Sequence, residues 1–151
     1  MTASPKNIHA NLIDIDAKGV LIKGEAGSGK TTLMLHLYRR CLSAGVPVHI
    51  ISDDQTLLEE QNGQLMGRVP PTLAGKIEIR GLGIVNREQT LSHSKIELCV
   101  TLDREEIMLR YWDSQFEKIG NFEVKKLCLS SANNEAAGNA VLAALNLPLS
   151  V

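Results

Sequence analysis

A chain of 151 residues, 44% of them hydrophobic, has the material for one compact domain that buries about 70% of the surface its unfolded form exposes. Sixteen Lys and Arg against seventeen Asp and Glu leave a formal net charge of −1, which argues against a nucleic-acid binder that works by neutralising phosphates and against a polybasic membrane anchor. One Trp, two Tyr and two Phe are too few for base-stacking platforms, and three widely spaced cysteines, Cys41, Cys99 and Cys128, suggest neither a disulfide framework nor a zinc site.

From the N-terminus, Asn11-Leu12-Ile13-Asp14-Ile15 alternates as a strand does. Ala17-Lys18-Gly19 reads as a turn and Val20-Leu21-Ile22 as a short buried strand. Leu33, Leu37, Cys41 and Ala44 then recur at helical spacing, with Met34 widening the stripe, which predicts a helix over residues 30–44. Gly45 and Pro47 stop it, and Val46, Val48, Ile50 and Ile51 form the next strand. Strand, helix and strand in this order predict a right-handed crossover with parallel pairing. Asn62-Gly63 between apolar runs predicts a tight hairpin. Residues 76–80 alternate as a half-exposed strand, 96–102 and 124–129 read as strands, and the alanine-rich stretch 134–145 closes the chain as a helix. The expected fold is one α/β domain over residues 1–151, with a mixed, mostly parallel sheet and an added hairpin. With no secretory core and no membrane-length apolar run, a cytoplasmic protein is expected.

Gly24-Glu25-Ala26-Gly27-Ser28-Gly29-Lys30-Thr31 matches the pattern GxxxxGK followed by Ser or Thr. Glycines let the backbone curl so that successive N–H groups face phosphate oxygens, and the following helix adds its unsatisfied amides and positive dipole end. Lys30 then reaches the terminal phosphates of ATP, and the Thr31 hydroxyl is a ligand for Mg2+. Asp53 and Asp54 follow the strand after the helix, at the sheet edge where α/β proteins bind ligands. A carboxylate there can hold the metal through water or accept a proton from an attacking hydroxyl. On local chemistry alone, His9 is an exposed histidine near a chain end, Glu78 and Arg80 form the wet face of a strand, and Arg110 is a surface arginine beside Tyr111 and Trp112.

The string Lys76-Ile77-Glu78-Ile79-Arg80-Gly81-Leu82-Gly83-Ile84 resembles the signature of HPr kinase/phosphorylase, a bifunctional family that phosphorylates a serine of the phosphocarrier HPr. The order of features, with His9 before the first strand, then the glycine loop, the Asp pair and the signature, is similar to that family's C-terminal catalytic domain. The resemblance implies a P-loop kinase domain using ATP and Mg2+ on HPr, with phosphorolysis of phosphoserine as the reverse reaction and a hexamer as the family's assembly. It implies His9, Lys30, Asp53 and Arg110 as catalytic residues, His9 tuning Asp53, which takes the serine proton. Thr31 and Glu78 become the metal ligands, with Asp54 also a candidate; which of the two aspartates is the base stays open. Thr31-Thr32 stand where the family has Ser-Glu, Asn86 where it often has aspartate, and residues 130–139 lack the Pro and Arg of its dephosphorylation loop. A small-molecule P-loop kinase or NTPase and a nucleotide-binding regulator without transfer activity are the alternatives.

Overall fold

The computed structural model describes residues 4–103, 112–113 and 115–151. In chain order the elements are β1 (Lys6–Ile8), β2 (Ala10–Ile15), β3 (Lys18–Lys23), α1 (Lys30–Ser43), β4 (Val48–Ser52), β5 (Thr56–Gln61), β6 (Gln64–Arg68), β7 (Lys76–Ile79), β8 (Gly83–Asn86), β9 (His93–Asp103), β10 (Phe116–Ile119), β11 (Phe122–Ser130) and α2 (Asn134–Ala144). A short 3-10 turn, Pro71–Leu73, follows the tandem prolines.

The large sheet runs β1-β5-β6-β9-β3-β2-β4, and β9 also carries β11, which pairs with β10. It is mixed, as expected, but mostly antiparallel. Among the described residues β3–β9 and β9–β11 are parallel, whereas β1–β5, β5–β6, β6–β9, β2–β3, β2–β4 and β10–β11 are antiparallel. The crossover through α1 joins β3 and β4, which point the same way but do not pair, because β2 lies between them. The cause is local. Asp16 and Ala17 both adopt left-handed backbone, φ 52° and 64°, the geometry of a two-residue turn that folds β2 directly back on β3. Asp14 holds this turn by accepting the Ala17 N–H at 3.1 Å, while its other oxygen accepts Ser94 Oγ–H at 2.6 Å. The turn therefore sits one residue earlier than the sequence pattern suggests. The Asn62-Gly63 hairpin forms as expected between β5 and β6. The β7–β8 ribbon stands as a separate two-stranded sheet.

Alternate residues of the central strands feed two cores. Ile13, Val20, Ile22, Leu98 and Val100 face α1 and α2, meeting Leu33, Met34, Leu37 and Val141; Leu12, Leu21, Ile96 and Cys99 pack on the other side with Ile51, Leu58 and Leu65. Helix α1 ends within one residue of its predicted stop, with Gly45 at φ 74° and the Val46 N–H returning to Cys41 O at 2.9 Å. Helix α2 is capped by Asn133, whose side chain accepts the Ala136 N–H at 3.0 Å. Replacing Asn133 with alanine should lower unfolding free energy by about 1 kcal/mol, read from the midpoint of a urea titration. The helices cross closely at Gly138, where a methyl group would lie 2.9 Å from Arg40 Nη1 and 3.0 Å from His36 Cδ2. Among the described residues, no helix is long and apolar enough to cross a membrane.

Candidate active site

Strand β3 delivers the chain into the glycine loop and α1 takes it out again. The entry admits no side chain: a Cβ on Gly24 would lie 2.4 Å from Ser28 Oγ and 2.8 Å from Leu102 O. Gly29, in the left-handed region at φ 99°, precedes α1 without a side-chain cap, which leaves the first helical amides for a ligand. Lys30 is buried and bends over the loop, donating from Nζ to Gly24 O at 3.1 Å and Glu25 O at 3.2 Å. An ammonium has three protons, so the loop and an incoming anion can share it. Ser28 Oγ is buried in this cradle and has no hydrogen-bond partner among the described residues.

Facing the loop, Asp53 leaves the end of β4 almost fully buried. Its Oδ1 accepts from Thr31 Oγ1 and from Asn11 Nδ2, each at 2.7 Å, and its Oδ2 accepts the Glu78 backbone N–H at 2.9 Å. Thus the Thr31 hydroxyl on α1 and the Glu78 backbone amide on β7, 47 positions apart by their numbers, meet on the two oxygens of one carboxylate. Asp54 differs. It is exposed, adopts φ 68°, gives its N–H to Asn11 Oδ1 at 2.9 Å and pairs through Oδ1 with His9 Nε2. The resemblance pairs His9 with Asp53; the structure pairs it with Asp54.

His9, Lys30, Thr31, Asp53, Asp54 and Glu78 line a single cleft of ≈ 640 Å³. Thr32, Ser131 and Asn134 border it as well. Arg80, read from local chemistry as a strand's wet face, also reaches this cleft. Arg110 lies outside the described residues. The residue that sequence reasoning missed is Asn11. Its signal was present as an amide among the apolar residues of β2, a position that burial tolerates only when both ends of the amide are satisfied.

At the end of β3, Lys23 pairs with Glu117 of β10 at 2.6 Å, and the other Glu117 oxygen accepts the Cys99 thiol at 2.7 Å. Burial pushes the Cys99 thiol far above its ordinary range, and the hydrogen bond and charge of Glu117 add to the shift. It is a core thiol, held by the Glu117 carboxylate among the apolar side chains of the sheet face away from α1. Cys41 is likewise buried and free, its thiol raised by burial.

The donors suit a nucleotide with a hard cation. Ser28 Oγ is unsatisfied among the described residues of the cradle, and Thr31, Asp53 and Glu78 offer oxygen alone. Among the described residues no three His, Cys, Asp or Glu side chains form a metal cage. A partial oxygen set is what Mg2+ uses when it arrives with phosphates and water as its remaining ligands.

Strand β3, the glycine loop and α1, with an acidic pair just beyond the end of the next strand, which points the same way as β3, belong to an α/β domain with a mixed sheet. The family model described as HPr Serine kinase C-terminal domain matches residues 1–138. The chain belongs to that family. An HPr kinase/phosphorylase of Clostridium botulinum (strain Eklund 17B / Type B) is 31% identical over 124 residues, covering 78% of this chain and 37% of that protein. One from Mycoplasma mycoides subsp. mycoides is 38% identical over 101 residues, 62% of this chain and 30% of that protein. The solved Hpr(Ser) kinase/phosphatase from Coxiella burnetii superposes with a TM-score of 0.78 at 28% identity, over 93% of this chain and 97% of that one. The chain therefore spans well under half the length of these curated relatives and nearly all of the matched solved chain.

Proposed function

We propose that this chain is a protein serine kinase domain that transfers the terminal phosphoryl group of ATP to HPr, with Mg2+ as its metal. The observation that carries the reading is the meeting of the Thr31 hydroxyl and the Glu78 backbone N–H on the Asp53 carboxylate, in a cleft that Thr31, Glu78 and the glycine loop line together. Loop amides and Lys30 would hold the triphosphate. Thr31 and Glu78 would hold the metal, with Asp53 fixing the Thr31 hydroxyl from behind; when bound, Mg2+ neutralises charge on the terminal phosphates.

For the base we choose Asp54. Both oxygens of Asp53 are taken up by donors, whereas the Asp54 carboxylate is exposed in the cleft and oriented by His9. A base must reach its proton, and Asp54 has that access. It would accept the proton of the HPr serine as the seryl oxygen attacks the phosphorus in line. In the reverse direction inorganic phosphate attacks the phosphoserine, the bond from phosphorus to the seryl oxygen breaks, Asp54 returns the proton to that oxygen, and pyrophosphate leaves. The reading carries a cytoplasmic location and a homo-oligomer, hexameric as the resemblance implies.

Labelled ATP, Mg2+ and purified HPr test it: phosphoserine should form on HPr with this protein and not with its Lys30→Ala variant. Folded protein that leaves HPr unlabelled overturns the reading, and ADP release driven by a metabolite instead would favour a small-molecule kinase. Glu78→Gln should raise the Mg2+ concentration needed for half-maximal transfer by about tenfold or more and leave metal-free nucleotide binding unchanged, as titrations with and without chelator would read.

A further inference from the structure

One buried amide ties the aspartate pair to the glycine-loop helix. Asn11 lies on β2, fully buried, on the face that packs against α1. Its Nδ2 donates to Asp53 Oδ1 at 2.7 Å and lies 3.3 Å from Thr31 Oγ1 and 3.7 Å from Met34 Sδ. Its Oδ1 accepts the Asp54 N–H at 2.9 Å. That amide belongs to a residue at φ 68°, a left-handed conformation that non-glycine residues other than Asp and Asn seldom adopt, and the Asn11 acceptor fixes this aspartate in it. Every other residue of β2 except Asp14 is apolar. Asp14 has its own task at the far turn, so the strand spends one polar position at each end.

We infer that Asn11 is a positioning residue for both carboxylates. Its Nδ2 holds the Asp53 carboxylate against Thr31, and its Oδ1 holds the left-handed Asp54 backbone that carries the Asp54 side chain to His9. The geometric half of this claim stands on the hydrogen bonds alone; its catalytic half rests on the kinase reading given above. A residue that merely filled the core would change stability and leave the turnover of each folded molecule untouched.

Two variants of the full chain separate these cases. Asn11→Val removes both functions, whereas the isosteric Asn11→Asp keeps the oxygen that accepts the Asp54 N–H and replaces the amide donor to Asp53 with a second carboxyl group that competes with it for charge. Amide exchange at Asp54, followed by NMR on 15N-labelled protein, should quicken about tenfold or more in Asn11→Val and stay near wild type in Asn11→Asp. The kcat for HPr phosphorylation should fall about 10²-fold in both, with KM for ATP moving far less. Equal Asp54 exchange in wild type and Asn11→Val, or a kcat near wild type in either folded variant, overturns the inference. Should Asn11→Val fail to fold, the kcat of Asn11→Asp decides. Should the wild type itself leave HPr unphosphorylated, the kinase reading falls, and the exchange rates still decide the geometric claim.

Discussion

Lys30→Ala is expected to reduce phosphate transfer by about 10²–10³-fold, the loss seen when a fixed donor to developing charge is removed. The effect should fall on nucleotide affinity as well as on turnover. In this fold Lys30 Nζ bridges Gly24 O and Glu25 O, so its removal leaves two carbonyls of the loop without their donor and slackens the curl that aims the amides. Calorimetric titration with ATP and a steady-state assay on HPr would show both losses together. A variant that binds ATP normally and fails only in turnover would show that the loop keeps its shape without the lysine.

The aspartates should part company in the same assays. Asp54→Asn keeps size and turn geometry but loses the proton acceptor, so kcat should fall by about 10²–10⁴-fold while KM for ATP stays within about twofold. Asp53→Asn should behave differently, because three donors converge on Asp53. An asparagine offers one acceptor oxygen and turns an NH2 group toward another donor, a mismatch that costs about 1–3 kcal/mol of stability. It should therefore lower the unfolding midpoint and weaken the response to Mg2+. If Asp53→Asn lost turnover alone and Asp54→Asn lost the Mg2+ response, the two roles would have to be exchanged.

Much of this site was legible in sequence because its chemistry is local. The curl of residues 24–29, the helix beginning at Lys30 and the Asn62-Gly63 turn are each dictated by neighbours within a few positions, and each forms where the pattern places it. Glu78 stands out only through the family resemblance; by periodicity it belongs to a strand's wet face. The rest depended on pairing between distant segments. Nothing in residues 10–23 alone announces that β2 will separate β3 from β4, since a Gly-free Asp16-Ala17 pair is an unusual two-residue turn. The same holds for the aspartates. Adjacent carboxylates look alike as letters, and only the depth of Asp53, the bend at Asp54 and the reach of His9 distinguish them.

The placement of β2 also orders the assembly of the molecule. Because β4 finds its hydrogen-bonding edge on β2 and not on β3, the crossover through α1 docks next to its starting strand only through the Asp16-Ala17 hairpin. Hairpins of this kind close in about 1–10 μs, ahead of contacts that span longer loops. We expect the β2–β3 hairpin to close first and β4, with the acidic wall of the cleft, to dock on it afterwards, an order that pulsed amide exchange during refolding would read.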